Sequence, residues 1–72
     1  MNNKLESKLR RLAMERTDRS GKYYFALSSW SRVDDNIYVT FLRRDKNGNY
    51  MEIHDVYKLD SLIKDGGHVP PT

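Results

Sequence analysis

The chain has 72 residues and contains no cysteine, which excludes a disulfide framework and a zinc–thiolate site. A chain of this length forms one small domain that buries only about 60% of its unfolded surface, so we expect a small core. No apolar run approaches the ~18 residues that cross a bilayer, and the first residues lack the apolar segment of a secretory signal. We therefore expect a cytoplasmic protein with no membrane partner.

The net charge of +3 is distributed unevenly along the chain. Residues 1–22 hold seven Lys/Arg and three Asp/Glu, a net charge of +4, whereas residues 23–72 hold six Lys/Arg and seven Asp/Glu, a net charge of −1. Such asymmetry is typical of proteins that bind nucleic acid or an acidic partner. The basic character belongs to the first element of the chain.

An amphipathic helix is predicted over residues 3–18, because apolar residues recur there at i, i+4, i+7 and i+8. These residues are Leu5, Leu9, Leu12 and Ala13. No Gly or Pro interrupts the segment, and Gly21 follows at a position suited to ending a helix.

Three strands are predicted after the helix, because the apolar period changes to two. The segment 22–33 is rich in aromatic and β-branched residues, and so are 37–42 and 50–57. Residues 34–36 form a turn signal between the first two strands, and the dipeptide Asn47-Gly48 indicates a hairpin between the second and third. Links this short predict an antiparallel meander.

The fold class predicted from this order is α+β, with an N-terminal amphipathic helix, a three-stranded antiparallel meander and a short C-terminal helix (α-β-β-β-α). Residues 58–67 supply the last helix, which would end at a Gly-Gly pair. The helices would pack on one face of the sheet. The alternative is a small SH3-like barrel with an appended N-terminal helix. Residues 1–67 would form the single domain and residues 68–72 a flexible tail.

The alternation of side chains along the strands predicts which face is buried. Ile37, Val39 and Phe41 form the more apolar face of the second strand. We expect four residues of the other two strands to join them, namely Phe25, Leu27, Met51 and Ile53.

The same alternation leaves three aromatic residues, Tyr24, Trp30 and Tyr38, on the second face of the sheet. Exposed aromatic side chains close together are typical of a binding surface, because they provide a large contact area at low entropic cost. These three residues are the predicted aromatic contact face. In the alternative reading, the C-terminal segment folds back and covers them.

Basic residues define a second candidate surface for a polyanion or an acidic partner. Lys4, Lys8 and Arg11 lie on one flank of the leucine stripe, and Arg43 and Arg44 lie at the predicted hairpin tip. Three oppositely charged i, i+4 pairs weaken this reading, because they are also typical of a solvated helix. The pairs are Glu6–Arg10, Arg11–Glu15 and Glu15–Arg19.

Catalysis, metal binding and cofactor binding are not predicted. The two histidines, His54 and His68, fall in a strand and in the tail, and no Gly-rich phosphate loop is present. The sequence therefore predicts a small non-enzymatic regulatory module that acts by protein–protein interaction, as an adaptor or an inhibitor that occupies a partner's surface. The alternative is a nucleic-acid-binding domain that uses the basic helix and the hairpin-tip arginines.

Overall fold

The computed structural model describes residues 3–63, which form a helix, three strands and a short helix. The elements are α1 (Asn3–Ser20), β1 (Tyr24–Val33), β2 (Asn36–Arg44), β3 (Tyr50–Lys58) and α2 (Leu59–Ile63). The predicted α-β-β-β-α fold is confirmed, and the sheet is open, so the SH3-like barrel is not formed. The predicted Gly-Gly helix end and the tail at residues 68–72 lie outside the described residues.

The sheet is a meander with the order β1-β2-β3, and both neighbouring pairs are antiparallel. The first hairpin turns at Asp34 and Asp35, and Asp34 adopts a φ of 56°. The second turns at residues 45–49, where Gly48 has a φ of 89°. There the Asp45 carboxylate accepts hydrogen bonds from the backbone N–H groups of Asn47 and Asn49, both at 2.9 Å.

The core lies between α1 and one face of the sheet, as the leucine spacing predicts. Its buried residues are Leu5, Leu9, Ala13, Phe25, Ile37, Val39, Phe41 and Leu62. Thus α1 contributes its predicted stripe, β2 contributes its predicted apolar face, and α2 adds one leucine. Burying an aliphatic or aromatic side chain of this kind contributes roughly 1.5–3 kcal/mol, which explains how so few residues hold the domain together.

A β-bulge in β1 changes the face on which Trp30 lies. The register with β2 shifts between Leu27 and Ser29, so that Leu27 lies opposite Phe41 and Trp30 lies opposite Val39. An extra residue in one strand reverses the alternation beyond it. Trp30 therefore packs against the core beside α1. The prediction that Trp30 shares the second face with Tyr24 and Tyr38 is wrong for this reason.

The prediction that Met51 joins the core is wrong, since Met51 is 51% exposed. It lies opposite Arg43, at the end of the sheet next to the second hairpin loop. A single helix is about 10 Å wide and cannot cover three strands over their whole length. Ile53, the other residue predicted for the core from β3, is partly buried and packs against it.

Hydroxyl groups from the end of α1 hold the beginning of β1. The Thr17 hydroxyl accepts a hydrogen bond from the backbone N–H of Phe25 at 2.8 Å and also lies 3.3 Å from its carbonyl oxygen. The Ser20 hydroxyl makes the same pair of contacts with Tyr23, at 2.9 and 3.0 Å. The outer edge of the chain is therefore hydrogen-bonded to α1 at Phe25 of β1 and at Tyr23, the residue just before this strand.

Candidate interaction surfaces

The face of the sheet opposite α1 has no buried residue, and we call it the open face. Its members come from alternate positions on all three strands. They are Tyr24, Ala26, Ser29, Ser31, Val33, Asn36, Tyr38, Thr40, Leu42, Arg44, Tyr50, Glu52, His54, Val56 and Lys58.

Large apolar side chains are exposed at both ends of the open face. Tyr24 is 53% exposed and Tyr50 is 65% exposed, and both pair across the sheet with Arg44. At the other end, Tyr38 is 43% exposed and lies opposite Val56, which is 57% exposed. These four side chains, with half-buried members between them, make the open face a continuous surface of mixed aromatic and polar character.

Polar side chains in the middle of the open face contact one another. The Thr40 hydroxyl lies 3.1 Å from Nδ1 of His54, and Nε2 of His54 lies 3.3 Å from a carboxylate oxygen of Glu52. All three residues are neighbours in the register of β2 and β3. This cluster gives the open face a polar centre between its apolar ends.

Two of the three predicted cations on α1 are exposed. Lys4 and Arg11 face solvent, whereas Lys8 is only 9% exposed. Lys8 comes three residues after Leu5 and four before Leu12, so its aliphatic stem lies along the core-facing side of the helix. The prediction that Lys8 lies on an exposed basic flank of the helix is therefore wrong. The Nζ atom of Lys8 has no hydrogen-bond partner within residues 3–63.

The two hairpin arginines lie on opposite faces of the sheet. The guanidinium of Arg43 stacks on Tyr23 at 4.3 Å from the ring centroid, on the side of α1. The guanidinium of Arg44 stacks on Tyr24 at 5.2 Å, on the open face. Consecutive strand residues alternate between faces, so these cations do not form one cluster.

The first turn of α1, which carries Lys4, and the hairpin arginines lie at opposite ends of the domain. Glu6, near the start of α1, contacts Trp30, whereas Ser20, at its end, contacts Tyr23 beside the hairpin. Helix α1 therefore runs antiparallel to β1. Lys4 is consequently far from Arg44 along the long dimension of the domain.

Among the predicted i, i+4 pairs, Glu6–Arg10 is formed, with a distance of 2.8 Å between Oε2 and Nη2. The other carboxylate oxygen of Glu6 accepts a hydrogen bond from Nε1 of Trp30 at 3.4 Å. The hydrogen bond from Arg10, followed by that from Trp30, lowers the pKa of Glu6 below its ordinary 4.5. Glu6 therefore links an exposed ion pair to the packed indole.

A shallow groove of about 290 Å³ lies between α1 and β3. Its lining residues are Leu12, Glu15, Arg16, Arg19, Asp55, Val56 and Tyr57. Arg16 forms an ion pair with Asp55 at 2.9 Å. The Arg16 guanidinium also lies over the rings of Phe25 and Phe41, at 4.7 and 5.6 Å. The groove is therefore lined by an ion pair whose arginine also stacks on two core rings.

Burial in this groove raises the pKa of the Tyr57 phenol above its ordinary 10.0, and the neighbouring Asp55 carboxylate adds to the effect. A second concavity, of about 500 Å³, lies at the hairpin end of the domain. It combines the cations Lys22, Arg44 and Lys46 with two acids, so its charge is mixed.

Within residues 3–63, no three His, Cys, Asp or Glu side chains are grouped so that they could hold a metal ion. Neither helix in this range has the length and apolarity needed to cross a membrane. The geometry thus offers two surfaces for contact with another macromolecule, namely the open face and the groove beside β3.

Sequence reasoning missed two residues of the open face, Tyr50 and Val56. Side chains alternate between the faces of a strand, so placing Ile53 towards the core also places Val56 on the opposite face, and the sequence alone allows this deduction. Tyr50 immediately follows the hairpin loop, and its face depends on the exact loop length, which the sequence leaves open.

The class of protein that these observations define is a small α+β domain with an open three-stranded antiparallel sheet, covered by a helix on one face. Comparison with protein families, with curated proteins and with solved structures finds no match for this chain.

Proposed function

We propose that this chain is a small non-enzymatic binding module that occupies the surface of a partner protein through the open face. The observation that carries the proposal is the exposure of Tyr24, Tyr38, Tyr50 and Val56 on a face that no residue within 3–63 covers. Tyrosine is enriched at protein interfaces because its ring packs and its hydroxyl remains hydrogen-bonded.

The polar centre of the open face supports the same proposal. His54, Thr40 and Glu52 already contact one another, so a partner meets oriented donors and acceptors between two apolar ends. An apolar contact combined with a few placed polar groups is the usual composition of a protein interface.

Nucleic-acid binding, the alternative from the sequence, draws less support from the geometry. Lys8 is buried, Arg43 and Arg44 lie on opposite faces, and Lys4 lies at the far end of the domain. A protein that binds a polyanion needs its cations along one path. Within residues 3–63, Arg44 is the only cation that stacks on an aromatic ring of the open face.

The experiment compares two variants in affinity capture from a lysate treated with nuclease. The double substitution Tyr24→Ser with Tyr38→Ser removes aromatic area from the open face. The matched control, Met14→Ser, removes an exposed apolar side chain, 65% accessible, from α1. We expect one partner protein to be retained by the wild type and by the control and lost by the double variant.

The same partner, once purified, should shift the amide resonances of open-face residues in the wild-type protein. Circular dichroism must show that the double variant is folded. Capture that is unchanged in the double variant would reject the open face as the site. Capture that requires nucleic acid and falls steeply with salt would instead support the alternative.

A further inference from the structure

The two edges of the sheet differ, because within residues 3–63 contacts protect the edge of β1 and not that of β3. The hydroxyls of Thr17 and Ser20 occupy the outward backbone groups of Phe25 and Tyr23. Beyond them the bulge between Leu27 and Ser29 interrupts the regular spacing of the edge. Bulges and covering elements are devices that prevent another strand from pairing with an edge.

The edge of β3 has neither device. Its nine residues pair with β2 without any shift of register. Residues 45–49 close the hairpin with a hydrogen bond from the N–H of Asp45 to the carbonyl of Asn49 at 3.1 Å. Alternation from this closing bond directs the N–H and C=O groups of Met51, Ile53, Asp55 and Tyr57 towards β2.

The same alternation directs the backbone groups of Tyr50, Glu52, His54, Val56 and Lys58 outward, away from β2. Within residues 3–63, no hydrogen bond from another element reaches the outward backbone groups of Tyr50, Glu52, His54 and Val56. An open row of this kind is a template for another strand.

Three of the exposed side chains beside this edge are large and apolar. Tyr50 is 65% exposed, Met51 is 51% exposed and Val56 is 57% exposed. Together with the half-buried Ile53, they place apolar side chains on both faces of the strand at its free edge. Exposed apolar edge strands of this kind pair readily with a strand of another chain.

We infer that β3 pairs antiparallel with β3 of a second copy of this chain, with a two-fold axis passing beside Ile53. The pairing joins two three-stranded sheets into one continuous six-stranded sheet. An edge that meets its own copy about a two-fold axis must pair antiparallel, as in other isologous contacts. The inference concerns the edge of β3 and does not depend on the proposed function of the open face.

Charge and apolar complementarity select the register. Centring on Ile53 places Glu52 opposite His54 of the second copy, so that two acids and two histidines alternate around the axis. It also places Tyr50 opposite Val56 of the second copy, and Ile53 opposite itself in a closely spaced pair. In this register the outward backbone groups form about eight hydrogen bonds.

Other registers in which the same outward N–H and C=O groups form hydrogen bonds are less favourable. Centring on Glu52 places two glutamates directly opposite each other, and centring on Asp55 does the same with two aspartates. Centring on His54 sets Glu52 against Val56 and Ile53 against Asp55. Like charges directly opposite each other on adjacent strands are destabilising.

The groove between α1 and β3 fits the same register. Met51 of the second copy falls opposite Asp55, on the face that carries the groove. The apolar part of this groove includes Leu12 and the aromatic ring of Tyr57. The exposed Met51 of the second copy thus packs against this shallow groove, and methionine adapts well to irregular apolar surfaces.

A strand pair of this length buries little area, so we expect a reversible dimer that is populated at high concentration. Sedimentation equilibrium of the full chain should give a mass that rises from 8.5 kDa towards twice that value as concentration increases to about 1 mM. A wild-type mass of 8.5 kDa throughout would overturn the inference.

A charge exchange tests the register itself. His54→Glu places glutamate opposite Glu52 twice and should weaken the dimer about tenfold, whereas the matched control His54→Gln should change it less than about threefold. Glu52→Lys alone should also weaken the dimer, because it removes the favourable pairing of Glu52 with His54 of the second copy. Mixing His54→Glu with Glu52→Lys should restore a heterodimer, because each substituted charge then meets its opposite. A dimer unaffected by His54→Glu would place the contact elsewhere.

Amide hydrogen exchange of the wild type provides a readout that does not depend on any variant. The outward amides of His54 and Val56 should become protected as concentration rises, whereas the amides of Ile53 and Asp55 should be protected at every concentration. His54→Pro removes one outward N–H and should leave a folded monomer, since proline is tolerated at such edge positions. Amides of β3 that show no concentration dependence would reject the pairing.

Discussion

The indole Nε1 of Trp30 donates a hydrogen bond to a carboxylate oxygen of Glu6 at 3.4 Å, and this contact joins the first turns of α1 to the far half of β1. It exists because the β1 bulge turns Trp30 towards the helix. The single tryptophan therefore reports on the packing of α1 against the sheet.

The first prediction concerns acid pH. The hydrogen bonds from Arg10 and Trp30 hold the pKa of Glu6 below 4.5 in the folded state. A carboxyl group with a lowered pKa stabilises the fold above its unfolded pKa, and this contribution is lost as pH falls through the folded pKa. Trp30 fluorescence should therefore titrate with a midpoint below 4.5, and the step should disappear in Glu6→Gln. A step that persists in this variant would assign the change to another group.

The second prediction concerns the ion pair that joins α1 to β3. Arg16 and Asp55 are each about one-third exposed and lie 2.9 Å apart. Their coupling in a double-mutant cycle with Arg16→Met and Asp55→Asn should be about 1 kcal/mol, at the upper end for an exposed pair. Urea denaturation measures each free energy of unfolding.

Arg16 has a further role that the cycle separates. Its guanidinium lies over Phe25 and Phe41, so Arg16→Met should cost more than Asp55→Asn, because the stacking is lost as well. Arg16→Lys should not restore this difference, since an ammonium stacks less well than a planar guanidinium. Equal costs for both single substitutions would contradict the stacking contribution.

The third prediction concerns the buried amine of Lys8. Its Nζ has no hydrogen-bond partner within residues 3–63, and a buried cation without a partner is destabilising. Lys8→Met keeps the length of the side chain and should raise the free energy of unfolding by about 1 kcal/mol. The matched substitution Lys4→Met, at an exposed position on the same helix, should change it by less than about 0.5 kcal/mol. A loss of stability in Lys8→Met would contradict the cost assigned here to the buried amine.

The fourth prediction concerns the second hairpin loop. Gly48 has a φ of 89°, and nothing lies within 4 Å of the position that a Cβ atom would take. Gly48→Ala should therefore cost about 1 kcal/mol through backbone conformation alone, without a steric clash. Thermal denaturation measures the loss, and Gly48→Asn should cost less, because asparagine tolerates positive φ better than alanine does.

Much of the fold follows from local patterns. The leucine spacing of α1, the β-branched run of β2 and the Asn47-Gly48 turn each predict one element, and together they predict the element order. The buried face of β2 is also predictable, because Ile37, Val39 and Phe41 alternate without interruption.

The candidate surfaces were only partly predictable. Tyr24 and Tyr38 lie on the exposed face as expected, whereas Trp30 and Lys8 do not lie on the exposed surfaces expected of them. A bulge adds one residue to a strand without any distinctive sequence signal, and every side chain beyond it changes face.

The sequence by itself determined the order of helix and strands and the identity of the core stripe, because hydrophobic periodicity and turn residues act over a few neighbouring positions. The tertiary structure alone decided which edge of the sheet is protected, on which face Trp30 lies and that Lys8 is buried. The face of Trp30 depends on the bulge in β1. The other two properties depend on how α1 packs along β1, which brings Thr17 and Ser20 onto one edge and leaves the edge of β3 open within residues 3–63. Contacts between residues distant in the chain set that geometry, and local sequence patterns do not predict such contacts.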